Sequence, residues 1–252
     1  MPAIIITATV IPDPDVPMLA VRDPAVRLTE YLSALPHHLH AAREIAADVV
    51  LAENSGADLR PFAEAAERQG FPHHFELLPC ESSAGHLGRG YGELRMIADA
   101  FRGSSAIKRL GEDELVWKVT GRYRVLNLGR LASSAPKVDL YCNLRTVSLD
   151  PRQRNLRWVD QWAFAMTPRG FDRYVRPVIG ALERGETTSS ETLLAQTIFD
   201  HRDDARVAPR FAVEPRVSGV AAWDGRSYDR FRTRLFHTGA AAMRRIAPSI
   251  WI

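Results

Sequence analysis

Leu115–Leu131, LVWKVTGRYRVLNLGRL, is the stretch on which the fold turns. Leu115 to Val119 has the apolar density of a buried strand, a glycine turn follows, and then an apolar segment carrying Asn127. Strand side chains alternate between faces, so Lys118, Thr120 and Arg122 are expected to point one way and Trp117 and Val119 the other. Two cations and a hydroxyl where a strand ends fit an anionic ligand such as a diphosphate. An edge strand with a solvated basic face fits the same letters.

Working outward, Ala3 to Val10 (AIIITATV) is β-branched with no polar alternation, which describes a central strand covered on both faces. IPDPDVPM is too proline-rich for regular structure and reads as the loop at that strand's end. A helix follows, with Asp23 as N-cap, Pro24 at its first position, and Leu28, Leu32 and Leu35 on its apolar stripe; Pro36 is expected to end it. Asp48 to Ala52 and Phe75 to Pro79 read as strands, and Arg60 to Gln69 as a helix closed by Gly70. A Gly-rich loop, Ser82 to Gly92, leads into a helix from Glu93 to Phe101. Beyond the opening stretch, Val138–Leu144, Val159–Met166 and Phe211–Val220 read as strands, Arg152–Arg157 as a basic connector, and Glu191–Asp200 as a helix. Thr167 and Pro168 start a helix that turns Phe171, Tyr174, Val175 and Val178 inward. Alternating strands and helices predict an α/β fold, a single three-layer domain with a mostly parallel central sheet, over residues 1–225. Residues 226–252 read as a basic amphipathic tail.

The chain has 252 residues, 46% apolar and 25% charged, the composition of a folded domain. A net charge of +3 accommodates an anionic ligand or a membrane surface and is too small to argue for nucleic acid. Cys80 and Cys142 form no CxxC pair, so they read as small buried groups in a reducing compartment. The first residues read as a strand rather than a signal peptide, and no run approaches the roughly 18–20 apolar residues of a membrane span, so a cytoplasmic protein is expected. The tail carries six arginines against one acid, Asp229, interleaved with apolar residues that include Trp251; such a segment can lie on anionic lipid or pack on the domain.

Ligands of open α/β sheets bind outside the carboxyl ends of the strands, and four polar clusters fall there. They are Thr7 with Thr9, Glu53-Asn54-Ser55-Gly56, the loop GHLGRGYGE (Gly85 to Glu93) with Arg89 and Gly90, and Lys118-Thr120-Gly121-Arg122. Four glycines in the loop allow close backbone approach, and a helix N-terminus beyond it favours an anion; a plain surface loop is the alternative. Glu191, in ETTSSETLL, is placed either as a general base or as the partner of Thr188 in a capping box, with Asp160 and Glu186 as weaker bases. The histidines, His37, His38, His40, His73 and His74 among them, lack metal-ligand spacing and read as surface residues.

The order of these features resembles the nucleotide-sugar-binding half of a GT-A-fold glycosyltransferase, over about residues 3–225. KVTGRY and GRGYGE resemble segments of bacterial polysaccharide-assembly transferases. In that fold the fourth strand ends in an Asp-x-Asp motif that holds a divalent metal. Here Lys118, Thr120 and Arg122 stand in that place and the carboxylates are missing. Fixed cations can neutralise a departing diphosphate as a metal does. The resemblance therefore implies a metal-independent transferase with no cofactor beyond its nucleotide-sugar substrate. Lys118, Arg122 and Arg89, helped by Arg145, would hold the diphosphate, and the acceptor would be a saccharide, free or lipid-linked; Glu53 would accept from the nucleoside, or simply shape a turn with Asn54 and Gly56. The glycine spacing of Val217–Asp229, with Trp223, fits a lid over the donor or an ordinary glycine loop. A nucleotidyltransferase and a non-catalytic nucleotide- or saccharide-binding module are the competing readings.

Overall fold

The β-branched run at the start of the chain forms β1 (Ala3–Ala8), buried along its whole length. The computed structural model describes residues 2–17, 19–81, 85–145, 157–185, 189–220, 227–229 and 231–246. In it β1 pairs in parallel with β2 (Asp48–Glu53) on one side and with β4 (Val116–Thr120) on the other. β3 (Phe75–Pro79) extends the sheet beyond β2. Beyond β4 lie β9 (Ala163–Met166), β6 (Leu140–Tyr141) and β10 (Val207–Ala208), so the order is β10-β6-β9-β4-β1-β2-β3. β9 runs antiparallel to both neighbours and the other pairings are parallel. Two small ladders stand apart from this sheet. β5 (Arg124–Val125) pairs with β11 (Val217–Ser218), and β7 (Leu144–Arg145) with β8 (Trp158–Val159).

The pleat sends Ile4 and Ile6 to one face and Ile5 to the other, and each face carries its own apolar layer. On the first, α1 (Pro24–Glu44) and α2 (Arg60–Arg68) pack through Leu35, Leu39 and Phe62. On the second, α3 (Arg89–Gly103), α7 (Arg176–Glu183) and α8 (Ser190–Asp200) pack through Leu94, Ile97, Val178 and Ile198. Each such side chain contributes about 1.5–3 kcal/mol when fully buried. The short helices α4 (Ser105–Lys108), α5 (Leu128–Ser133) and α6 (Pro168–Gly170) join these elements; Thr167 caps α6, accepting from the Gly170 amide at 3.0 Å. The expected three-layer α/β architecture with a mostly parallel sheet is the one observed.

Several expectations need correction. Pro36 does not end α1, whose Asp23 cap is as expected. A proline inside a helix costs about 3 kcal/mol; the turns beyond it bury His38, Leu39, Ala41 and Ala42 and offset that cost. His38 is therefore a core residue, not a surface one. α3 begins at Arg89 rather than Glu93, so Gly90 and Gly92 are helical. A Cβ on Gly90 would overlap the Ser190 hydroxyl, 1.9 Å away, so this glycine lets α3 and α8 approach. Val138–Leu144 and Val159–Met166 are each interrupted, giving two sheet strands and the β7/β8 ladder. Of Phe211–Val220 only Val217–Ser218 is strand, and the sheet edge is Val207–Ala208, too short to show a period. Residues 152–156 of the connector and 221–226 of the expected lid, with Trp223, lie outside the described residues.

The tail, over its described part, is the helix α9 (Phe231–Ile246), and it docks on the domain. Arg244 is half-buried and donates to Glu214 at 2.6 Å, to the Phe211 carbonyl at 2.7 Å and to Asn143 at 2.7 Å. His237 sits 3.0 Å from the other Glu214 oxygen. No helix among the described residues is long and apolar enough to cross a membrane.

Candidate functional site

β1 is the point where the sheet changes direction of growth: β2 and β3 follow on one side and β4 on the other. Beyond the carboxyl ends of β1, β2 and β4 opens a cleft of about 730 Å³. Thr7, Asn54, Arg89, Gly90, Thr120, Arg122 and Glu191, expected from the sequence to share a site, all line it.

Lys118 and Thr120 point toward α3. The Lys118 ammonium is fully buried and donates to Glu93 at 2.7 Å, to the Thr120 hydroxyl at 2.8 Å and to the Gln161 carbonyl. Thr120 in turn donates to the second Glu93 oxygen at 2.8 Å. Burial pulls the lysine below its ordinary range and the Glu93 charge opposes that pull. The triad is closed: the ammonium lies behind Glu93 and Thr120 instead of facing the cleft directly. Glu93, read in the sequence only as the start of a helix, is the carboxylate that organises this wall.

Arg122 goes the other way. The strand alternation that placed it beside Lys118 stops at Gly121, whose amide donates to the Thr7 carbonyl at 2.9 Å, and a turn closes with Tyr123 N–H on Thr120 O at 3.1 Å. A Cβ on Gly121 would come within 2.8 Å of Ile6 and 3.0 Å of Tyr31, so only glycine lets this turn press on β1. The turn delivers the Arg122 guanidinium to α1, where it donates to Glu30 at 2.7 Å. Both cations of the motif thus carry a carboxylate partner, on opposite flanks of one cleft.

Glu53 is spent on the loops. It accepts from the amides of Val10 (3.0 Å), Ser55 (2.9 Å) and Ala57 (3.2 Å) and from the Ser55 hydroxyl. It ties the loop after β1 to the loop after β2 and does not reach the cleft itself. Asn54, beside it, accepts from Thr9 at 2.6 Å. Thr7 donates to the Val119 carbonyl at 3.3 Å.

Glu191 occupies the second position of α8. The cap is Ser189, which accepts from the Thr192 amide at 3.3 Å, so Glu191 is not the distal member of the capping box expected with Thr188. It borders the cleft, accepts from the Ser190 hydroxyl at 3.3 Å, and its charge reaches Lys118. Glu186 lies outside the described residues. Asp160 is tied to Arg145 at 2.9 Å and to Asn143 at 2.6 Å. Arg145 also faces Glu214 at 3.8 Å, joining the cleft wall to the α9 anchor.

Sequence reasoning missed Arg27 and Tyr31, one helical turn apart at the start of α1 and both lining the cleft. Arg27 is 5% exposed. Its guanidinium donates to the Thr9 carbonyl at 2.7 Å, the Val21 carbonyl at 3.1 Å and the Tyr31 hydroxyl at 3.4 Å. The i, i+4 spacing of an arginine and a tyrosine directly after the β1 loop was the available signal.

No protein-family model matches the sequence, and no curated protein matches it. Among solved structures, two of the glycosyltransferase GlyE from Streptococcus pneumoniae TIGR4, the second an apo form, are similar at a TM-score of 0.46. Identities are 8% and 9%, over 82% of this chain and 45% and 44% of the GlyE chains. The chain thus spans less than half the length of the structures it resembles, and a likeness at this score carries neither activity nor substrate across to it.

Proposed function

We propose that the protein is a glycosyltransferase of GT-A type that moves a sugar from a nucleotide donor to a saccharide acceptor, free or lipid-linked, in cell-surface polysaccharide assembly. The observation that carries this reading is a cleft at the sheet's switch point that combines cationic walls with a carboxylate, Glu191, that neither caps its helix nor pairs with a cation within 4.0 Å among the described residues.

In the proposed reaction the acceptor hydroxyl oxygen attacks the anomeric carbon, the bond from that carbon to the diphosphate oxygen breaks, and Glu191 takes the hydroxyl proton. Arg122 and Arg89, backed by Lys118 and Thr120, meet the charge that develops on the departing nucleoside diphosphate. Gly90 and Gly121 let backbone come close, Thr7 and Asn54 border the nucleoside side, and Glu53 holds the loops that form it. What supports a metal-independent route is that Lys118 lies in β4 and Arg122 just beyond its end, where fixed cations can meet a departing diphosphate. A peripheral membrane role would use the side of α9 turned away from Arg244, where Ile246 is 79% exposed.

The test is turnover of a panel of nucleotide sugars in the presence of EDTA, with melting-temperature shifts reporting binding. Glu191→Gln is expected to lower turnover at least a hundredfold while the donor still raises the melting temperature. Near-normal turnover by that variant removes Glu191 from the chemistry, and loss of all activity under EDTA with recovery on Mn²⁺ removes the metal-independent route.

A further inference from the structure

Apart from Glu191, these carboxylates around the cleft are already engaged. Asp13 accepts from the Asp15 amide, Asp23 caps α1, and Glu30 pairs with Arg122. Glu53 holds backbone amides, Glu93 holds Lys118 and Thr120, and Asp160 holds Arg145. Arg27 differs from Lys118, Arg122 and Arg145 in this respect. Its contacts are two carbonyls and a phenol, and among the described residues no carboxylate lies within 4.0 Å of it. It also lies close enough to Arg122 for the two positive charges to oppose each other. Two buried guanidiniums therefore share one carboxylate, Glu30, at the mouth of β1 and β4.

Two buried cations that must share one counter-charge are costly to hold. Three neutral acceptors hold the Arg27 fork in place, and three of its five N–H groups are used by them. The remaining two, with Arg122 beside them, match the planar, bidentate recognition of an oxyanion. The neighbouring loop after β1 is pinned by the same side chain through Thr9, so the seat is built before a ligand arrives.

We propose that Arg27, with Arg122, is a phosphate seat, and that its occupant is a phosphate group of the donor's diphosphate. The choice of occupant rests on the nucleotide-sugar reading above. An acidic sugar carboxylate shares the chemistry, and the experiment separates the two.

Calorimetric titration of the full chain with inorganic pyrophosphate, and in parallel with glucuronate, is the test. Wild type is expected to bind pyrophosphate, more weakly as salt rises, with glucuronate at least tenfold weaker. Arg27→Met should weaken pyrophosphate at least tenfold and Arg27→Lys by less. Glu30→Gln keeps an acceptor for Arg122 and removes the shared negative charge, so it should bind pyrophosphate about threefold or more tighter. A folding defect cannot produce that gain. Equal binding by wild type and Arg27→Met, no gain in Glu30→Gln, or glucuronate binding in preference to pyrophosphate overturns the seat. Pyrophosphate binding that depends on Arg27, with no turnover of any nucleotide sugar, upholds the seat and overturns the proposed transferase instead.

Discussion

The two flanks of the cleft both bury cations, and Lys118 on one and Arg27 on the other are met differently. On the α3 flank, Lys118 is fully enclosed and met by a carboxylate, a hydroxyl and a carbonyl. On the α1 flank, Arg27 is nearly as enclosed and met by neutral groups only. A charge answered from within the chain contributes to holding the chain together. A charge left unanswered lowers stability until something from outside supplies the counter-charge. The first flank is accordingly structural wall and the second is the place where a ligand's charge counts most.

Three measurements break or sharpen this contrast. The largest effect belongs to Glu93→Ala, which strands the Lys118 ammonium in the interior; it should cost about 3–5 kcal/mol in urea unfolding, and Glu93→Ala with Lys118→Met should recover most of that. A loss below 1 kcal/mol would show that the α3 flank is not held by this pair. Next is the effect of pH through His38, on α1 beneath the Gly121–Tyr123 turn. Burial, with His37 adding repulsion, holds its pKa down to about 4 from 6.5. Between those values the unfolded chain binds a proton that the native chain does not, so stability rises with pH across that window. It should fall as pH drops from 6.5 to about 4, by on the order of 3 kcal/mol, and His38→Leu should remove that part of the slope. Identical slopes for the two proteins would dismiss the role. The smallest effect is expected for Arg27→Met without ligand. Three hydrogen bonds are lost and an unpaired buried charge is relieved, so unfolding free energy should change by about 1 kcal/mol or less. A loss as large as that of Glu93→Ala would make the two flanks alike.

The parallel half of the sheet was legible because β1 and β2 are buried on both faces and write that fact as runs of β-branched and aliphatic residues, with β4 apolar apart from Lys118 and Thr120. Pro36 misled because its cost is local and readable, whereas the burial of Leu39 and Ala42 that outweighs it depends on a sheet several strands away in sequence. The far half hid its strands in two-residue segments such as Leu140–Tyr141, and holds itself with side-chain ions: Arg145, Asp160, Glu214 and Arg244 meet from four parts of the chain. At the site, the sequence brought Thr7, Thr120, Arg122 and Glu191 to one cleft. It could not show that Lys118 and Arg122 diverge, because a single glycine turn undoes the alternation on which their shared direction rested. Nor could it separate Arg27 from any solvated arginine in a first helical turn, since what distinguishes it is burial with no carboxylate within 4.0 Å among the described residues, Glu30 being taken by Arg122.

The docking of Arg244 has a consequence for biogenesis. Glu214 receives its closest partners from residues 237 and 244, so during synthesis on the ribosome that carboxylate has only Arg145, at 3.8 Å, until α9 has emerged. Nascent chains arrested before residue 244 should be open to protease around Asn143 and Phe211, and chains arrested well after it should resist, making completion of this wall of the cleft wait for α9 rather than follow directly from the β1–β4 half.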